Sequence, residues 1–159
     1  MSKKIQIGGV IMRENLSLIK ILGINNAPNS GGHIFRIFGD AGISMEFIST
    51  SETTTGKGSI LICVEEKEHQ KAKMLIPIIE REISPVKETI HNSVAMMTVY
   101  GPHFAEKPSI AAAFCVALGK AGINVLGVST SINSVTCVIH QKKLNQAKIA
   151  IDKSFDYPK

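Results

Sequence analysis

Two hydrophobic periods alternate along this chain. Residues 14–24 carry Leu16, Leu18, Ile19, Ile21 and Leu22, an apolar run of strand character that ends at Gly23. It opens into Asn25-Asn26-Ala27-Pro28-Asn29-Ser30-Gly31-Gly32, which is loop chemistry. Ile34, Phe35, Ile37, Phe38 and Ala41 follow at helical spacing, and Gly42 suits the left-handed position just past a helix end. Residues 43–51 and 58–64 read as strands around a polar turn at 52–57. Ala72, Leu75, Ile76, Ile79 and Ile83 recur at three- and four-residue steps, which predicts an amphipathic helix over 66–83 with a kink at Pro77. A short strand at 86–90 completes the order βαββαβ.

The same order then returns. Gly42-Ile43-Ser44-Met45 and Ile48-Ser49-Thr50-Ser51 recur as Gly122-Ile123-Asn124-Val125 and Val128-Ser129-Thr130-Ser131. That offset also carries Pro28 onto Pro108, Gly39 onto Gly119 and Ala41 onto Ala121. A repeat of about eighty residues is too long for stacked solenoid units and fits two fused domains. The second copy predicts a strand at 93–101, a loop at 102–108, a helix at 109–121, strands at 123–131 and 134–140, and a helix at 142–155. Ser59 aligns with Ser134 and Ala72 with Ala147, so the register slips by five residues and the first copy has the longer hairpin loop.

Too little chain follows Phe155 for a sixth element, whereas residues 4–12, with Ile5, Ile7, Val10 and Ile11, form a strand that the first copy does not need. That strand is expected to complete the second module. A first domain of residues 14–91 would then nest inside a second built from 4–12 and 93–157. The expected fold is α+β: two ferredoxin-like βαββαβ modules, the first inserted in the second, with antiparallel sheets and helices on one face.

Composition changes this picture little. The 159 residues are globular in balance, with no tryptophan and a net charge of +5. The basic residues are scattered: Lys67, Lys71 and Lys73 lie beside Glu65, Glu66 and Glu68 on a solvated helix face, and Lys142, Lys143 and Lys148 lie in its repeat. A nucleic-acid footprint needs them clustered with aromatics between, so no nucleic acid is expected. No apolar run reaches the ~20 residues that cross a bilayer, and no apolar stretch follows Lys3-Lys4, so neither a membrane partner nor a signal peptide is expected. Cys63, Cys115 and Cys137 lack metal spacing, which points to reduced thiols in a cytoplasmic protein.

Catalysis needs converging titratable groups. Asp40, Asp152 and Asp156 are the only aspartates, and His33, His69, His91, His103 and His140 are isolated, with no zinc spacing. No catalytic residue, metal or cofactor is expected, and the histidines read as surface or strand-end residues. Thr55-Gly56-Lys57-Gly58 lacks the upstream glycine of a phosphate loop and joins two strands, so it reads as a hairpin turn. Asn29-Ser30-Gly31-Gly32 stands between a strand and a helix N-terminus, where free N–H groups and the helix dipole favour an anion such as a carboxylate. Asn and Ser also serve well as helix caps.

The paired βαββαβ order, with Gly122-Ile123-Asn124-Val125 and Val128-Ser129-Thr130-Ser131, resembles the tandem ACT domains of the aspartate kinase regulatory region, including its free regulatory β subunit. The likeness runs from Gly9-Val10-Ile11-Met12 through the loops at Pro28 and Pro108 to the last helix; nothing resembles the kinase catalytic domain. The resemblance implies a non-catalytic, amino-acid-binding regulatory protein with an effector such as lysine, threonine or methionine. It also implies a homodimer and an aspartate kinase catalytic chain as partner. Asn26, Ala27, Pro28, Asn29, Ser30 and Gly31 would hold the effector, Ile48 and Ser49 would contribute from the next strand, and Ile123, Asn124 and Val125 would stand opposite. The N–H groups of Asn29 to Gly31 would take the carboxylate, and carbonyls with the Asn26 or Asn124 amide the ammonium. Where the family usually has Asp and, two residues on, Pro-Gly, this chain has Asn26 and then Pro28-Asn29. The other reading is a structural dimerisation module with degenerate pockets.

Overall fold

A computed structural model describes residues 4–25, 27–102, 104 and 108–158. The chain divides into two compact units, one of residues 15–92 and one that joins 1–14 to 93–159. Its elements are β1 (Ile5–Gln6), β2 (Gly9–Asn25), α1 (Ser30–Asp40), β3 (Phe47–Glu52), β4 (Lys57–Glu65), α2 (His69–Ile83) and β5 (Lys87–Tyr100), then α3 (Ile110–Lys120), β6 (Gly127–Thr130), β7 (Ser134–His140), α4 (Leu144–Ser154) and β8 (Phe155–Asp156).

In the unit of residues 15–92 the strand order is β3-β4-β2-β5, with β4 antiparallel to both β2 and β3. Alternate residues share one face of a strand, so Ile19 and Ile21 of β2 and Ile60, Ile62 and Val64 of β4 converge on one side. Ile34 and Phe38 of α1 and Ala72, Leu75 and Ile79 of α2, at helical spacing, close the core over them. The other unit orders β6-β7-β5-β2. There Ala95, Met97 and Val99 and Val135, Cys137 and Ile139 face Phe114, Leu118, Ala147 and Ile151 of its two helices. The N-terminal segment belongs to this second core. β1 pairs in parallel with β8, Ile5 opposite Phe155, and Ile7 is buried among the same residues. The whole is the α+β, ferredoxin-like arrangement the repeat implies.

Two features differ from the periodicity. The segment read as one strand at 4–12 divides, Ile5–Gln6 forming β1 while residues from Gly9 on run straight into 14–24 as β2, and the segments at 86–90 and 93–101 are one strand, β5. Asn15 (φ 57°) and Ser93 (φ 56°) take left-handed backbone within them, where the chain passes from one unit to the other. Strands β3 and β6 start later than predicted, because residues just past α1 and α3 spend their amides on the helix ends. The Ile43 N–H bonds the Phe38 carbonyl at 3.0 Å and the Ile123 N–H bonds Leu118 at 3.0 Å. Gly42 and Gly122, at φ 69° and 66°, make those turns. Helix α2 continues through Pro77 to Ile83.

Candidate ligand-binding cleft

The cleft begins with a bulge. β2 and β4 pair residue for residue from Leu16 opposite Glu65 to Leu22 opposite Ser59, then Ile24 falls opposite Gly58 and Asn25 opposite Lys57. Gly23 is the extra residue. Its φ of 70° is strained for other residues, and a Cβ there would lie 2.4 Å from Val86 Cγ2. Past the bulge the chain leaves the sheet as the loop that feeds α1. That loop and the β3–β4 hairpin enclose a cleft of about 620 Å³.

One wall consists of Asn25, Ala27, Pro28, Asn29, Ser30, Gly31 and Gly32; the other of Thr50, Ser51, Glu52, Gly58, Ser59 and Ile60. Of the residues singled out in the sequence, Ala27 to Gly31 therefore line one cleft. Asn26 lies outside the described residues, as do His103 and residues 105–107 of the second copy's loop. Ile48 and Ser49 precede the lining part of β3, with Ile48 half exposed. Ile123, Asn124 and Val125 belong to the other unit, where Ile123 is buried in that unit's core.

The loop amides are unequally placed. The Ser30 N–H is engaged by the Ala27 carbonyl at 3.1 Å, and the His33 N–H by Asn29 at 2.9 Å. Gly31 and Gly32, in the first turn of α1, remain as the donors that the helix N-terminus turns toward an anion. Asn29 sits at φ 72°, so the position where the family has glycine keeps a left-handed backbone that asparagine tolerates. Its side chain makes no cap hydrogen bond; its Oδ1 lies over Gly32, where a Cβ would come within 2.5 Å. Ser30 Oγ donates to the Asn25 carbonyl at 3.1 Å rather than capping the helix. Both residues thus shape the loop instead of serving as ordinary caps.

The facing strands supply what the sequence did not single out. Ser51 and Ser59 hydroxyls meet at 2.7 Å, and Glu52 adds an acidic residue to the lining. Lys57 Nζ donates to Asn25 Oδ1 across the end of the ladder. The turn between them is the predicted hairpin. The Thr53 N–H bonds the Lys57 carbonyl at 2.7 Å, and Gly56 adopts φ 71°. Cross-strand partners depend on register, so the second wall could be found only once the bulge at Gly23 was known.

Several titratable groups elsewhere have structural partners. His33 Nε2 lies 2.7 Å from Glu82 Oε2, and this contact first, then Arg81, holds the Glu82 carboxyl below its ordinary range. His69 Nδ1 lies 2.9 Å from the hydroxyl of Ser17, a fully buried residue. These two histidines are paired, not isolated as their spacing suggested. Burial pushes the Cys63 and Cys137 thiols up to about 12, and all three cysteines are free. Among the described residues no group of three or more His, Cys, Asp or Glu could hold a metal ion, and no helix is long and apolar enough to cross a membrane.

Comparison with known proteins agrees with this architecture. Residues 97–155 match the ACT domain family. The aspartokinase of Mycolicibacterium smegmatis is 22% identical over 149 residues, covering 92% of this chain and 35% of that protein. The chain thus spans about a third of the length of the curated relatives it matches. The crystal structure of the regulatory subunit of aspartate kinase from Thermus flavus superposes with a TM-score of 0.84 at 20% identity, covering 94% of this chain and 99% of that one. A crystal structure of aspartokinase alpha and beta subunits gives 0.84 at 20% identity, covering 93% and 97%. Residues 97–155 are thus similar to an ACT domain, and the chain has the fold of the aspartate kinase regulatory subunit.

Proposed function

We propose that this chain is a non-catalytic regulatory protein that binds an amino acid in the cleft between the β2–α1 loop and the β3–β4 hairpin. Both units would be ACT domains, with residues 15–92 nested in the other. The observation that carries the reading is the make-up of the cleft: the N-terminus of α1, with Gly31 and Gly32, lines it together with an acidic residue, Glu52. An α-amino acid carries one negative and one positive group. Its carboxylate suits the amides and helix dipole, and its ammonium suits Glu52 and the loop carbonyls. Ile24 and Ile60 add apolar surface for a side chain.

The partners follow from the fold. Regulatory subunits of aspartate kinase share it, and one such fold has been crystallised as aspartokinase alpha and beta subunits. An aspartate kinase catalytic chain is the proposed target, lysine, threonine or methionine are the proposed effectors, and a cytoplasmic homodimer is the proposed form. A thermal-shift panel of amino acids tests the binding claim. A ligand at a hundred times its Kd stabilises the fold by about 2.7 kcal/mol, so at least one amino acid should raise the melting temperature. A flat panel would sink the proposal. Co-purification with an aspartate kinase catalytic chain tests the partner.

A further inference from the structure

The β3–β4 hairpin ends in a lysine that its copy lacks. In the other unit the equivalent turn is short: the Ser131 N–H bonds the Ser134 carbonyl at 2.9 Å, and Ser131-Ile132-Asn133-Ser134 contains no cation. The longer arm of the first unit exposes Glu52 to Gly56 and returns at Lys57. The Gly23 bulge sets Lys57 directly opposite Asn25, whose side chain both lines the cleft and accepts from Lys57 Nζ. The ammonium of Lys57, a residue just outside the lining, is therefore held beside the cleft by the neutral amide oxygen of a lining residue. Such a bond leaves the charge uncompensated, whereas a carboxylate would both accept the bond and neutralise the charge.

We infer that Lys57 reads the α-carboxylate of the bound amino acid, moving from Asn25 Oδ1 to the ligand and so selecting ligands with a free carboxylate. This rests on the amino-acid-binding reading of the cleft and assigns a specificity residue within it. Three features support the move. The four-carbon stem of lysine rotates freely and presents three donors. The Gly31 and Gly32 amides stand on the same wall as Asn25, so the carboxylate meets donors from two elements. Glu52, paired with Gly58 beside Lys57 in the β3–β4 ladder, lines the same cleft and is an acidic group for the ammonium end of a zwitterion.

The test is a titration calorimetry series on the full chain and its K57Q and K57R variants. Each is titrated with the tightest-binding of the twenty amino acids and with the α-carboxamide of that same amino acid. The unmodified chain should prefer the acid by about tenfold or more, the scale of a hydrogen bond to a charged group. In K57Q that preference should collapse through weaker binding of the acid, with the amide little changed; K57R should keep it. The preference is a ratio within one variant, so a partly unfolded population cancels from it. An unchanged acid-to-amide ratio in K57Q overturns the inference while leaving the cleft's function standing. Failure of the unmodified chain to bind any amino acid overturns the regulatory reading and this inference with it.

Discussion

At the scale of single residues, the loop before α1 shows how a substituted position can keep its geometry. Asn29 stands where the family has glycine, yet its φ of 72° is the glycine-like conformation. Alanine lacks the local hydrogen bonding that lets asparagine visit this region, which costs about 1–2 kcal/mol. Asn29→Ala should therefore lower stability by about that amount in urea unfolding, and Asn29→Gly should not. Glu88 offers a pH-dependent case. Its Oε1 is buried without a partner, and burial first, then the Glu80 carboxylate, raise it above its ordinary value of 4.5. A carboxyl raised in the folded state penalises folding while ionised, and the penalty disappears as pH falls through the raised value. Glu88→Gln should raise the melting temperature at neutral pH, with the gain closing as pH falls toward 4.5. Glu82, held down by His33 and Arg81, has the opposite sign: its contribution is present above the ordinary range and is lost as acid protonates it. Sequence showed the loop, because Pro28, Gly31 and Gly32 mark it, but no local pattern revealed the unpartnered oxygen of Glu88.

Among the elements, helices were more legible than strand boundaries. Ile34 and Phe38, Leu75 and Ile79, and Phe114 and Leu118 recur at a spacing that only a helix brings to one face, and all are buried. Strands β2 and β5 were read as broken at Arg13 and at His91-Asn92, polar residues between apolar runs that lie within two residues of the left-handed Asn15 and Ser93. Polar residues in left-handed backbone do mark a change of direction, but here the strand resumes at once. Half of the cleft was hidden for a related reason. Ala27 to Gly31 are contiguous, whereas Thr50 to Glu52 and Gly58 to Ile60 reach the cleft only through ladder register. The register of β4 against β2, which brings Lys57 opposite Asn25, turns on Gly23. Gly23→Ala should cost about 2 kcal/mol or more, combining positive φ with the approach of Val86. It should also disturb the Asn25–Lys57 pair, so hydrogen exchange should quicken at β4 residues near Lys57 before it does at Ile62 and Val64.

For the whole molecule, the two cores are separate clusters with different chain histories. The unit of residues 15–92 is one continuous segment; the other is assembled from both ends of the chain. Ile7 stands for this difference, since it is 7% exposed and lies in one core cluster with Val99 and Phe155, residues from the far end of the chain. Truncating a buried isoleucine costs about 2–5 kcal/mol. Ile7→Ala should lower stability by that order, and exchange protection should be lost first in β7, α3 and α4 while α1, α2 and β4 keep theirs. The pairing of Ile5 with Phe155 has a further consequence for synthesis. At about 5–20 residues per second, the nascent chain presents β1 roughly ten or more seconds before its partner strand exists. The continuous unit can finish folding on the ribosome during that interval. The split unit waits for its last residues, and until they emerge its first strand is an unpaired apolar segment for a chaperone to shield.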